Sequence, residues 1–177
     1  IESLNHFGKS LSISEYTSFD NENIIINKQD AIFVFSPNEL SNLEDSKLED
    51  FLYQGGHIII FPANAPTEQK YSYINRSFPD IYDNYDHLNL LDFSDNSFQD
   101  ISLTNIKIEE ISNLFYSNSE SDRNIKIFKY IKIPYNPEHS QLTLNDGNAI
   151  WNRYYINHGM IDIFGFAINL NWTNFPI

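Results

Sequence analysis

The acidic and histidine side chains around residue 85 form the cluster whose residue types could hold a metal ion. Asp83, Asp86 and His87 lie close together in the chain, and carboxylate and imidazole groups are common ligands of divalent cations. Asn84 and Tyr85 stand between them, and the whole stretch equally suits a polar loop. The other histidines are scattered, and no calcium-loop pattern is present. We therefore expect no metal site and no cofactor.

Nucleophiles are scarce in suitable settings. The chain has no cysteine, which excludes a thiol nucleophile, a disulfide and a thiolate metal site. Ser36 follows an apolar run and precedes a helical pattern, but Phe35 and Pro37 flank it without the glycines of a sharp nucleophile turn. Neither Gly-x-Gly-x-x-Gly nor a Walker pattern is present, and the pair at residues 55–56 precedes a strand, the wrong side for a phosphate cradle. We predict that the chain is not an enzyme and has no catalytic residue.

The charge balance argues against two classes of partner. Acidic residues number 24 and basic residues 11, for a net charge of −13, and no Lys/Arg run appears. Phosphate backbones and anionic membrane surfaces require basic patches, so we expect no nucleic-acid or membrane-surface binding. No apolar run approaches the ~20 residues that span a bilayer, so we expect this segment to be soluble.

One segment predicts a βαβ unit. Ala31–Phe35 is a continuous apolar run, typical of a strand covered on both faces. A capping box at residues 41–44 starts a helix with an apolar stripe, and Gly55 and Gly56 end it. His57–Phe61 is a second apolar strand. We expect the two strands to be parallel, with a right-handed crossover. The stripe consists of Leu40, Leu43, Leu48, Phe51 and Leu52.

The remaining elements are less marked. We expect a helix end over residues 1–9, a strand over 11–16, a short helix over 67–75, mostly loop over 84–100, and strands over 106–111 and 126–133. The last third predicts antiparallel strands over 141–144, 149–156 and 160–170, joined by turns at 145–147 and 157–159, since Asp-Gly between alternating segments is a hairpin signal. No linker or repeat is visible, so residues 1–177 form a single domain.

Aromatic residues give a further indication of binding. Several tyrosines lie in the polar stretch before residue 90, and others follow in the last third. Exposed aromatic rings beside Asn and Asp can stack on sugars or form protein interfaces, whereas buried ones would pack under a long loop. These residues are Tyr71, Tyr73, Tyr82, Tyr85, Trp151, Tyr154 and Tyr155.

Short motifs resemble a known family. Residues 30–35, the leucine-rich helix and residues 54–62 resemble a class I glutamine-amidotransferase-like unit, in which the helix ends in Gly-Gly and the next strand ends in a Pro-containing loop. Residues 145–149 and the ending at 164–176, with Trp172 and Pro176, are similar to one branch, the BatA-type (aerotolerance regulator) membrane proteins of Bacteroidetes and other bacteria. The family's cysteine nucleophile is missing, which excludes glutamine hydrolysis.

The resemblance implies a fold and a location. It implies an α/β domain with a Rossmann/flavodoxin-like three-layer sandwich, a mostly parallel sheet and a C-terminal antiparallel hairpin region. It also implies that the segment belongs to a longer, membrane-anchored protein and lies on the extracytoplasmic (periplasmic) side.

These observations lead to a functional expectation. We expect a non-catalytic extracytoplasmic interaction or ligand-sensing domain that binds other proteins of a membrane complex. Doubly wound sheets bind ligands beyond the carboxyl ends of their strands, which here predicts Ser36, Pro37, Asn38, Pro62, Ala63 and Asn64 as ligand-binding residues. The alternatives are a hydrolase with a carboxylate or metal site, for which carbohydrate is a candidate substrate, and a purely structural spacer.

Overall fold

A computed structural model describes residues 31–35, 42–62, 74, 78–85, 88–93, 98–100 and 125–174. Its main feature is a five-stranded sheet. The strands are β1 (Ala31–Phe35), β2 (His57–Phe61), β7 (Ser140–Thr143), β8 (Ala149–Ile156) and β9 (Gly159–Phe164), and they lie in the order β1-β2-β9-β8-β7. Two two-stranded sheets pair β3 (Leu90–Asp92) with β6 (Lys129–Ile131) and β4 (Gln99–Asp100) with β5 (Lys126–Ile127).

The predicted strand–helix–strand segment is confirmed. β1 and β2 have the predicted bounds and pair in parallel, from Ala31↔His57 to Phe35↔Phe61. The intervening helix α1 (Asn42–Tyr53) ends as expected. Gly55 has φ 92°, in the left-handed region, and its N–H donates to Leu52 O at 2.9 Å. Glycine adopts this conformation without the steric cost that a Cβ imposes. The handedness of the crossover stays a prediction.

Helix α1 covers one face of the main sheet. Its Leu48, Phe51 and Leu52 are buried and share one hydrophobic core with alternate residues of the central strands. The strand residues of this core include Ile32, Val34, Ile58, Ile60, Ile161 and Ile163. The opposite face is open at β1, where Phe33 is 55% and Phe35 is 61% exposed. The prediction that β1 is covered on both faces is therefore wrong at these two positions.

The C-terminal strands form antiparallel hairpins. The predicted strand over residues 149–156 is confirmed as β8, and Gly147, with φ 83°, allows the tight turn before it. Asn157 has φ 53° in the turn between β8 and β9, a conformation that Asn tolerates better than most residues. The strand predicted over residues 160–170 is shorter, since β9 ends at Phe164 and bends and turns follow.

The strand predicted over residues 126–133 is interrupted. β5 pairs with β4, whereas β6 pairs with β3, and Phe128 separates them. The N–H groups of Phe128 and Lys129 both donate to Trp172 O, at 2.7 and 3.2 Å. The Trp172 carbonyl thus takes the place of a sheet partner at this point, and the chain changes neighbours there.

The predicted fold class is wrong. Instead of a three-layer sandwich with a mostly parallel sheet, the described residues form nine strands and one helix. Only two of the four pairings in the main sheet, β1–β2 and β2–β9, are parallel. The physical reason is that the β8–β9 hairpin is not an appended region. Strand β9 pairs directly with β2, so the hairpin extends the parallel strands into one mixed sheet.

Other predictions have separate outcomes. Residues 84–100, expected to be mostly loop, include β3 and β4. The predicted elements over residues 1–9, 11–16 and 106–111 lie outside the described residues, as does nearly all of 67–75. Among the residues that the structure describes, no helix is long and apolar enough to cross a membrane.

Candidate functional site

The predicted ligand-binding residues are only partly located. Pro62 follows β2 directly and is buried. Ser36, Pro37, Asn38, Ala63 and Asn64 lie outside the described residues, so the site that they were expected to form stays a prediction. Beside Pro62, the described residues at this edge are Phe35 and Phe61, the last residues of β1 and β2.

A row of four aromatic rings crosses the main sheet near that edge. Phe35 stacks on Phe61 with ring centroids 5.6 Å apart, and Phe61 stacks on Phe164 at 4.6 Å. Trp151 continues the row, 4.9 Å from Phe164. The four residues lie on adjacent strands β1, β2, β9 and β8, where sheet register places side chains of one face side by side. We call Phe35, Phe61, Phe164 and Trp151 the aromatic row.

The aromatic row is buried at one end and open at the other. Trp151 and Phe61 are buried, whereas Phe35 is exposed. Phe33 lies on the same face of β1 as Phe35, because side chains two residues apart share a face, and it is exposed too. Two large apolar side chains on one short strand thus face solvent beside a buried stack.

Next to the row on the same face lies a buried carboxylate. The Asp162 side chain is only 3% exposed. Its Oδ1 accepts from Trp151 Nε1 at 2.7 Å and from Arg153 Nε at 2.8 Å. Its Oδ2 accepts from Arg153 Nη2 and contacts His57 Nε2, both at 2.8 Å. We call Asp162, Arg153, Trp151 and His57 the Asp162 centre.

The surroundings of the Asp162 centre keep its carboxylate ionised. Burial by itself raises the pKa of Asp162, but the hydrogen bonds from His57, Arg153 and Trp151 outweigh it, and the pKa lies below the usual value. The hydrogen bond between Arg153 and Asp162 is in turn the main cause that raises the pKa of Arg153. Arg153 binds both carboxylate oxygens, a bidentate geometry that strengthens the pair. The centre joins β2, β8 and β9.

Sequence reasoning did not single out the Asp162 centre. The signal was available, because Asp162 is the one charged residue in the apolar run from residue 160 to 164 and Arg153 is the one charged residue over 149–156. A charge on a strand of this kind must be paired if the strand is buried. The partner Arg153 lies nine residues away across the predicted turn at 157–159, whereas the contact with His57, 105 residues away in the chain, follows from no local pattern.

On the α1 side of the sheet, a chain of hydrogen bonds ties β8 to the segment before β3. Asn152 Nδ2 donates to Tyr85 Oη at 2.8 Å, and Tyr85 Oη lies 2.8 Å from Tyr154 Oη. Tyr154 Oη donates to Asp83 Oδ2 at 2.7 Å. Burial is the main cause that raises the pKa of both tyrosines, so both phenols stay protonated and able to donate. We call Asp83, Tyr85, Asn152 and Tyr154 the tyrosine network.

The tyrosine network includes Asp83, one residue of the metal candidate. The Asp83 carboxylate accepts from the phenol of Tyr154 and from Asn136 Nδ2, so both of its oxygens are engaged by hydrogen-bond donors. Asp86 and His87 lie outside the described residues. Within the part of the chain that is described, no three metal-ligating side chains come together.

A smaller polar group fixes the hairpin turn between β7 and β8. Tyr130 Oη donates to Asp146 Oδ2 at 2.8 Å, and Asn148 Nδ2 donates to Tyr130 Oη at 2.9 Å. Burial and the Asp146 contact raise the pKa of Tyr130 to about 12. Hydrogen bonds from Asn148 and Tyr130 lower the pKa of Asp146 despite its partial burial. These contacts support a structural role for the Asp146-Gly147 turn.

Comparison with known proteins shows similarity only at the level of fold. No protein-family model and no curated protein matches the sequence. One similar structure is the cytoplasmic protein STM1381 from Salmonella typhimurium LT2, with a TM-score of 0.55 at 13% identity, covering 81% of this chain and 62% of that one. Another is Gan42B, a GH42 beta-galactosidase, with a TM-score of 0.48 at 7% identity, covering 79% and 19%. This chain therefore spans less than two thirds of the length of either neighbour.

Proposed function

We propose that this chain is a non-catalytic interaction domain that docks a partner protein through the aromatic end of its open sheet face. The observation that carries the proposal is the pair Phe33 and Phe35, 55% and 61% exposed beside the buried part of the aromatic row. Adjacent exposed aromatic side chains are enriched at protein interfaces.

The geometry beneath the pair favours tight binding. Phe35 stacks on Phe61, which stacks in turn on Phe164, so the ring of Phe35 is already held in place. A partner that covers it loses little side-chain entropy on binding. Full burial of an exposed phenylalanine side chain contributes roughly 1.5–3 kcal/mol. Because Phe33 and Phe35 are 55% and 61% exposed, a partner that covers both gains about half of this figure for each, enough together for a binding hot spot.

The Asp162 centre supports the same proposal. Both oxygens of its carboxylate are engaged by donors from three side chains. A carboxylate held in this way joins three strands, and because both of its oxygens are already engaged by neighbouring side chains it is poorly placed to act as a general acid, base or nucleophile. The alternative hydrolase gains no specific support from this centre.

The class of partner is part of the proposal. The resemblance to BatA-type proteins suggests other proteins of a membrane complex on the extracytoplasmic side. Because the chain carries a net charge of −13, an apolar contact framed by neutral or basic groups fits it better than an acidic partner.

Site-specific photo-crosslinking tests the docking proposal. A photoreactive phenylalanine analogue is placed at Phe33, Phe35 or Tyr53 in the protein expressed in its native cells. Tyr53 is the matched control, since it is 47% exposed but lies on α1, on the other side of the sheet. We expect one protein to be crosslinked at Phe33 and Phe35 and not at Tyr53, and to form a stable complex with the chain when both are purified. Equal crosslinking at all three positions, or none, would contradict the proposal.

A further inference from the structure

A second surface combines exposed tyrosine rings with a hydrogen-bonded carboxylate and amide. Asn136 Nδ2 donates to Asp83 Oδ1 at 3.1 Å, and both residues are partly exposed. Tyr82 precedes Asp83 in the chain, Tyr135 precedes Asn136, and their exposed fractions are 91% and 58%. The hydrogen bond thus brings two exposed tyrosines to the neighbourhood of one polar pair. We call Tyr82, Asp83, Tyr135 and Asn136 the tyrosine–amide surface.

Both tyrosines project from firmly anchored backbone. Tyr82 stands between Ile81 and Tyr85, which are 2% and 0% exposed. Tyr135 stands between Ile133, 1% exposed, and a turn in which the Asn136 N–H donates to Ser140 Oγ at 3.0 Å. A ligand that binds between anchored segments pays little for ordering the protein. The backbone that carries these two exposed rings is therefore held in place by its buried neighbours.

The mixture of groups selects the chemistry of the ligand. Tyrosine offers a flat apolar ring and a polar tip. Asp83 already accepts from Asn136 Nδ2 and Tyr154 Oη, and Asn136 Oδ1 accepts from the Glu138 N–H. A ligand hydroxyl therefore uses the remaining lone pairs of these oxygens and the second N–H of the amide. A sugar ring presents the complementary set, with an apolar C–H face and hydroxyl groups that donate and accept. The chain's net charge of −13 and the carboxylate of Asp83 disfavour an anionic ligand.

We propose that the tyrosine–amide surface binds a neutral oligosaccharide. This site is separate from the proposed docking face. Tyr154, which contacts Asp83, lies on the opposite face of β8 from Trp151 and Tyr155, because neighbouring strand residues point to opposite faces. The failure of one proposal therefore leaves the other untouched.

Calorimetric titration of the chain with short neutral oligosaccharides of glucose, galactose and N-acetylglucosamine tests this inference. We expect one of these series to bind, and Tyr82→Ala and Tyr135→Ala each to weaken that binding about 3- to 10-fold, the loss of one stacking ring. Tyr155→Ala is the matched control, since Tyr155 is 75% exposed on the other face of β8. This variant should bind the oligosaccharide with the affinity of the wild type.

The tyrosine variants should fold normally because both rings are exposed, and thermal unfolding checks this. The inference is overturned if none of the three series binds, if either tyrosine variant keeps full affinity, or if Tyr155→Ala loses as much as they do. If the surface binds a protein instead of a sugar, none of the three oligosaccharide series will bind.

Discussion

Asp162 keeps a negative charge inside the protein because three side chains donate to it. Replacing it with Asn leaves the Arg153 guanidinium, whose side chain is 19% exposed, without its counter-charge. We expect Asp162→Asn to lower the free energy of unfolding by about 3 kcal/mol, measured by urea denaturation. The control is Asp92→Asn, which removes a pair with Lys129 whose side chains are 40% and 27% exposed, and it should change stability by no more than about 0.5 kcal/mol. Equal effects would contradict a structural role for the Asp162 centre.

The same carboxylate predicts an acid dependence. The pKa of Asp162 is lower in the folded protein than its ordinary value, so the unfolded chain takes up a proton more readily. The stability from this group is present above the unfolded pKa, about 4, and is lost as pH falls through the folded pKa. We expect the difference in unfolding free energy between wild type and Asp162→Asn to shrink as pH is lowered from about 7 into this range. A difference independent of pH would show that the charge is not its source.

The tyrosine network makes a separate prediction. Tyr85→Phe removes one acceptor of Asn152 Nδ2, which keeps its hydrogen bond to Pro134 O, and it removes the hydroxyl beside Tyr154 Oη. Because these groups are buried, the loss should cost about 1–3 kcal/mol of unfolding free energy. Tyr82→Phe removes a hydroxyl at a side chain that is 91% exposed, and it should leave the denaturation midpoint unchanged. If Tyr85→Phe is as stable as Tyr82→Phe, the network contributes nothing.

At the scale of elements, the end of α1 depends on one backbone angle. Gly55 has φ 92°, where a Cβ is strained. We expect Gly55→Ala to destabilise the fold by about 1–2 kcal/mol, and Gly55→Asn to cost less, since Asn tolerates positive φ better than Ala. Thermal unfolding of the wild type and the two variants measures both losses of stability. An alanine variant as stable as the wild type would mean that the left-handed turn is not required.

Local sequence signals were sufficient for some elements and not for others. The bounds of β1, β2 and β8 follow from apolar runs, Gly-Gly and Asp-Gly, which act within a few residues. The break at Phe128 depends on the carbonyl of Trp172, which is far away in the chain. No local pattern reports such a contact, so a continuous strand was the natural but incorrect prediction.

At the scale of the whole molecule, pairing partners decided the fold class. The βαβ unit was identified correctly, but a single unit does not determine which strand lies beside β2. That neighbour is β9, one arm of an antiparallel hairpin. Apolar strands suit parallel and mixed sheets alike, so composition could not distinguish them. The candidate site could not be predicted for the same reason, because the aromatic row and the Asp162 centre both join residues from strands that are distant in sequence.

The docking proposal also belongs to this scale, and the affinity of the purified crosslinked partner tests it most directly. The affinity is measured for the wild type, for the double variant Phe33→Ser/Phe35→Ser and for the control Tyr53→Ser, with unfolding curves to show that all three fold. The account predicts that the double variant binds at least about 30-fold more weakly, a loss of about 2 kcal/mol, while Tyr53→Ser binds as the wild type does. A folded double variant with unchanged affinity would contradict the claim that this face is the binding surface.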